Sequence, residues 1–220
     1  MIGSESVWNR TDTTDEIVSD KVYNATIGGV LLWGFLLNYL TVTLIPVEMV
    51  LSIPFWMLIV GYFISVIAGT IIFQRSKDPV ISFVGYNLIV VPIGIVLTPL
   101  LNTIAPTIII DALTITGGFT GLMMFLGVTY PAFFLSMGRV LGFSLFGIIM
   151  IEIGLSIFTG HNPEIFDWII AILFCGYIGF DWARANSIPK TMDNAVDSAA
   201  SLYLDIINLF IRILSILSRR

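Results

Sequence analysis

The stretch Ala199–Leu217, AASLYLDIINLFIRILSIL, decides how the rest of this chain has to be arranged. Its 19 residues reach about 28 Å at the rise of an α-helix, enough to cross the hydrocarbon core of a bilayer. Yet it carries Asp205, Asn208 and Arg212. These three belong to a longer series, Asp197, Ser201, Asp205, Asn208, Arg212, Ser215 and Arg219, with steps of 4, 4, 3, 4, 3 and 4. That spacing puts all seven on one helical face, with Leu, Ile, Phe and Tyr on the rest. A charge turned to lipid costs several kcal/mol, so the stripe must face protein or water. The other segments are expected to surround this helix.

Composition points to the same setting. The 220 residues are 57% hydrophobic and 11% charged, with a mean hydropathy of +0.97; soluble domains carry about 25% charged residues. A lone cysteine, Cys175, excludes an intrachain disulfide. A lone histidine, His161, argues against a histidine-based metal site or a Ser-His-Asp triad. The formal net charge of −5 argues against nucleic acid as a partner and favours cations at the surface.

Residues 1–21 are polar and acidic without periodicity, and lack the pattern of a cleavable signal. They are expected to form a flexible cytoplasmic tail ahead of a single membrane domain, residues 22–220. Six apolar stretches precede the opening one: Val22–Leu44, Pro54–Phe73, Val80–Leu101, Thr107–Tyr130, Gly138–Phe158 and Phe166–Phe180, the last extensible to Ala185. Short connections rich in Pro, Gly, Asn and charge separate them. The expected fold is therefore an all-α membrane protein, a seven-transmembrane-helix bundle with the last helix central. Lys21, Arg75, Lys77, Arg139, Arg184 and Lys190 fall in the tail and in every second loop, whereas the alternate loops have no Lys or Arg. The positive-inside rule thus places the N-terminus in the cytoplasm. Arg219 and Arg220 pull the other way if the last helix spans fully. Gly61, Ser65 and Gly69, then Gly117 and Gly121, then Gly138 and Gly142, recur at four-residue spacing and suggest close helix packing.

Four intramembrane acids carry the candidate chemistry: Asp111, Glu152, Asp181 and Asp205. The sixth and seventh stretches are consecutive and antiparallel, so Asp181 and Asp205 can approach one another. Two carboxylates sharing a site do not both ionise easily, so the pair would hold one proton and act as a pH-responsive latch. The plainer alternative pairs Asp205 with Arg212 and Asp181 with Arg184 as structural ion pairs. The outward loops carry Glu48, Glu164 and Asp167 and no base, which would gather cations at the outer mouth.

The segment GYIGFDWARA, a short linker and SLYLDIINLFIRIL together resemble the carboxy-terminal signature of the Bax-inhibitor (TMBIM) membrane family. In that family an Asp closes the sixth helix and a LYLD-x-x-NLF run opens the seventh. The match covers about Leu173 to Leu217; DALTITGGF in the fourth stretch is a weaker likeness. The resemblance implies seven helices with the last one wrapped by the others. It implies a pH-sensitive calcium leak channel of a prokaryotic plasma (inner) membrane, without enzymatic activity or cofactor, with calcium and protons meeting the site. It assigns the gate and a candidate metal contact to Asp181 and Asp205. Arg75 is the basic residue nearest to the one that engages the pair. Asn208, Arg212, Glu152 and Asp111 are pore or latch candidates. Two features depart from the family pattern: the second stretch lacks an acid, and Glu152 has no expected counterpart.

Three other readings compete. A proton-coupled calcium exchanger could use Glu152 and the Asp pair as a relay. A non-transporting regulatory membrane protein would use the bundle to bind partners. An intramembrane aspartyl protease would need a GxGD sequence, and the nearest tract here is IGFD, preceded by Tyr177 instead of Gly.

Overall fold

A computed structural model describes residues 16–160 and 163–219. Most of the acidic tail, His161 and Arg220 lie outside the described residues. Among those described there are nine helices and no strand: α1 (Asp20–Leu44), α2 (Val47–Leu51), α3 (Phe55–Arg75), α4 (Pro79–Asn102), α5 (Pro106–Thr129), α6 (Pro131–Ser136), α7 (Gly138–Thr159), α8 (Ile165–Ala185) and α9 (Met192–Ser218). The seven long helices are each long and apolar enough to cross a membrane. Two differences from the sequence reading stand out. Short helices α2 and α6 occupy connections that read as loops, each launched by a proline whose missing N–H costs nothing at a helix start. Helix α9 begins at Met192, well before Ala199.

The chain forms two compact units, with α9 contributing to both. The first contains the chain through Ile104 together with Ile188–Ser201. Here α4 is the hub, packed on α1, α2 and α3. Its start is fixed by Asp78, whose carboxylate accepts from the backbone N–H of Val80 (2.8 Å) and Ile81 (3.3 Å), with Pro79 at the first helical position. Helices α3 and α4 touch backbone to backbone because both present glycine. A Cβ on Gly85 would lie 2.8 Å from the carbonyl oxygen of Gly69, and one on Gly69 would strike Gly85 in turn. Pro92 lies inside α4 and so deprives the Leu88 carbonyl of its helical donor. Ser65 of α3 supplies a replacement, its hydroxyl donating to that carbonyl at 2.7 Å.

The start of α9 is stitched into this unit by polar contacts. Ser82 donates to Asp193 Oδ1 at 2.7 Å. The fully buried Tyr23 hydroxyl lies 3.2 Å from Ser198 Oγ and 3.4 Å from the Asn194 carbonyl. Residues that read as a polar linker are therefore helical, because their side chains have partners on α1 and α4.

The second unit contains Ala105–Ser187 and the chain from Leu202 onward. Helix α8 is its hub, packed on α5, α6 and α7. Small residues again set the approach: a Cβ on Gly127 of α5 would sit 2.7 Å from the Gly179 carbonyl, and Gly138 of α7 rests on the Phe180 ring. The expected small-residue packing fails elsewhere, since Gly61, Gly117 and Gly121 face open space. Exposed apolar side chains are numerous on the outer helices, as a lipid-facing surface requires. In its most apolar window α9 is 61% buried, against 6% for α3 and for α7. The last helix is thus the most enclosed of the seven.

Candidate functional site on the last helix

The carboxyls of Asp181 and Asp205 face each other inside the second unit, close enough to share a hydrogen bond if a proton lies between them. Asp181 sits one turn before the end of α8, and Asp205 lies midway along α9. Both side chains are withdrawn from the surface; Asp205 is 6% exposed and the Asp181 side chain 12%. Asp205 Oδ2 is buried and receives no N–H or hydroxyl donor among the described residues. Two carboxyls can bond in this way only if one of them carries a proton. Nearby groups are few. Arg184, one turn beyond Asp181, reaches it at 3.7 Å. Tyr177, one turn before, lies within the field of both acids. Helices α5, α6 and α7 present Gly127, Phe134 and Gly138 to this end of α8, and Arg139 of α7 is exposed. The structural pairing of Asp181 with Arg184 is therefore present in part, and that of Asp205 with Arg212 is not.

Arg212 is engaged elsewhere. Its Nη1 donates to Glu152 Oε1 of α7 at 2.9 Å and to Asp167 Oδ1 of α8 at 2.8 Å, and Nη2 reaches Glu152 Oε2 at 3.2 Å. Ser215 donates to Asp167 Oδ2 at 2.9 Å, and Arg219 reaches the same oxygen at 2.9 Å. Two acids and two bases thus form a neutral cluster around Asp167, whose side chain is only 4% exposed. Asp167 is the buried centre of this cluster, and Glu152, whose partner is Arg212, would be stranded by the loss of that arginine. This corrects the reading of Asp167 as an acid on the outer surface. It also places Glu152 against a guanidinium, not beside the Asp pair as a relay would need.

The remaining candidates are scattered. Asn208 donates to the Leu204 carbonyl of its own helix at 2.7 Å and is partly buried. Asp111 is exposed in the second turn of α5. Arg75 is exposed at the end of α3, in the first unit. Among the described residues no group of three or more His, Cys, Asp or Glu is placed to hold a metal ion. Sequence reasoning missed the Asp167 hub, although its spacing from Asp181 on one helix matches that of Arg219 from Asp205 on the next.

Seven membrane-length helices, with a carboxyl pair and a charge cluster inside the second unit, define an integral, multi-pass membrane protein. The family described as inhibitor of apoptosis-promoting Bax1 matches residues 16–220. The chain belongs to this Bax inhibitor family. It is 30% identical to Bax inhibitor 1 of Schizosaccharomyces pombe over 171 residues, 74% of this chain and 61% of that protein. An uncharacterized protein of Helicobacter pylori is 30% identical over 166 residues, 71% of this chain and 70% of its own length. LIFEGUARD 1 of Arabidopsis thaliana is 37% identical over 86 residues, 36% of this chain and 35% of the plant protein. The chain therefore spans about a third of that plant relative and under two thirds of the yeast one.

Proposed function

We propose that the protein is a calcium-permeable cation leak channel whose closure depends on one proton shared by Asp181 and Asp205. The observation that carries this reading is the direct contact of these two carboxyls within the α8–α9 pair. A carboxyl donating to a carboxylate makes a short, charge-assisted bond. Removing the proton sets two negative charges side by side. Adding a second proton leaves a weaker neutral bond. Either change loosens α9 from α8, so flux should be smallest where the pair holds one proton and should rise on both sides of that pH window.

The stripe Asp205, Asn208 and Arg212 is the proposed path, with Asp111 on the outer side. Calcium takes six to eight oxygen ligands, and the two Asp carboxyls supply only part of such a set. Carbonyls and water would complete it, giving the weak, transient binding that a leak path needs. Arg75 is proposed to engage the pair from the cytoplasmic side. The distribution of Lys and Arg supports a cytoplasmic N-terminus, and the family resemblance supports the plasma (inner) membrane of a prokaryote as the location. An exchanger that relays protons through Glu152 is less well supported, because Glu152 is bound to Arg212.

Calcium flux into liposomes tests the proposal, with wild type and Asp205→Asn compared across pH. The wild type should show a minimum, and the variant should show a flattened pH response. An unchanged response in the variant would refute the shared-proton gate. Absence of any ion flux from folded wild type would favour a non-transporting regulatory protein.

A further inference from the structure

We infer that the Asp167 cluster sets the helix register that brings Asp181 against Asp205, making Asp167 a positioning residue for the carboxyl pair. The inference rests on the reading of that pair as the gate, but its geometry stands apart from conduction. Asp167 and Asp181 are 14 residues apart on α8, and Asp205 and Arg219 are 14 apart on α9. Two heptads return a helix to within about 40° of its starting azimuth, so each couple shares one face of its helix.

Asp167 meets Arg219 while Asp181 meets Asp205. These are the same antiparallel register read at two levels, about 21 Å apart along the axis. Arg212 lies one heptad from both Asp205 and Arg219, between the two levels.

The two fastenings differ in kind. Asp167 takes three partners from one face of α9, at positions 212, 215 and 219. Three attachments spread over two turns define both the axial position and the rotation of α9 on α8. The Asp pair is a single contact that depends on a proton, and it can form only if the rotation is already right. A one-residue slip would turn Asp205 by about 100° from Asp181, because an α-helix has 3.6 residues per turn. Glu152 holds the other arm of Arg212, so the register is anchored to α7 as well. The cluster thus acts as the fixed end of the α8–α9 pair, and the carboxyl pair as the end free to part.

Pulsed electron-spin distance measurement tests this in lipid nanodiscs. Spin labels are placed at Ile172→Cys on α8, where the native side chain is 68% exposed, and at Ser218→Cys, exposed at the end of α9, in a Cys175→Ala background. Asp167→Asn should broaden the distance distribution or shift it by about 5 Å, one helical turn. Asp205→Asn should leave it in place. If Asp167→Asn does not fold, Arg219→Gln, at a side chain 41% exposed, should give a smaller change in the same sense. A distribution in folded Asp167→Asn or Arg219→Gln that superposes on wild type would overturn the inference, as would an equal shift from Asp205→Asn. In the flux assay Asp167→Asn should lose the pH minimum with Asp181 and Asp205 intact. A preserved minimum would also overturn it. Absent wild-type flux would refute the channel reading alone, since the distance measurement judges the register without it.

Discussion

Removing the guanidinium of Arg212 should be among the most destabilising single changes in the second unit. The side chain makes three charge-assisted bonds, of 2.9 and 3.2 Å to Glu152 and 2.8 Å to Asp167. Breaking a fully buried ion pair from one side costs about 3–5 kcal/mol. Two features reduce that figure here. The side chains of Arg212 and Glu152 are 25% and 17% exposed, so water can reach the stranded Glu152. Asp167 keeps Ser215 and Arg219 as partners. Arg212→Gln should therefore lose about 2–3 kcal/mol. Arg212→Lys keeps the charge but cannot bridge two carboxylates with a fork, and should lose about 1 kcal/mol. The assay is reversible unfolding in mixed micelles, run as a double-mutant cycle with Glu152→Gln. Because the double variant leaves no stranded acid on α7, it should cost less than the two single changes together, with a coupling of at least about 1 kcal/mol. Additivity within about 0.5 kcal/mol would refute the argument, because independent sites behave that way.

Two further outcomes follow from the first unit. Ser65→Ala should cost about 1 kcal/mol by stranding the Leu88 carbonyl, and that cost should vanish in a Pro92→Ala background where the helix regains its own donor; an equal cost in both backgrounds, measured by the same unfolding assay, would contradict the repair. Asp20→Asn should change stability by less than about 0.5 kcal/mol despite its 2.7 Å contact with Lys190, because Asp20 is 80% exposed and water screens the pair.

How much of this was legible in the sequence depends on which physical signal each residue sends. The seven spans could be read because a run of apolar side chains has one economical fate in a bilayer, and the structure places helices on all seven stretches. The approach of Asp181 and Asp205 was legible in part: consecutive antiparallel helices run side by side, but Asp205 lies midway along α9 and not at its start. The true start of α9 was hidden, since Asp193, Asn194 and Asp197 lower the local hydropathy. Only their tertiary surroundings, among them Tyr23 and Ser82, show that they belong inside a helix. Asp167 was misread for a related reason. It follows the polar TGHNPE connection, so it looked like part of a solvated loop, whereas Arg212, Ser215 and Arg219 hold it inside the unit. Polar residues at the edges of apolar runs are ambiguous until their partners on other helices are known. Gly117 and Gly121 show the converse, a packing motif in sequence that meets no neighbour in space.

The central claim is that Asp181 and Asp205 hold one proton between them, and infrared difference spectroscopy of the protein in lipid tests it most directly. A carbonyl stretch of a protonated carboxyl should be present at the pH of minimum flux. It should disappear in both Asp181→Asn and Asp205→Asn, because the asparagine amide can donate to the remaining carboxylate and no shared proton is needed. A wild-type spectrum without that band, or a band that survives both substitutions, would contradict the account.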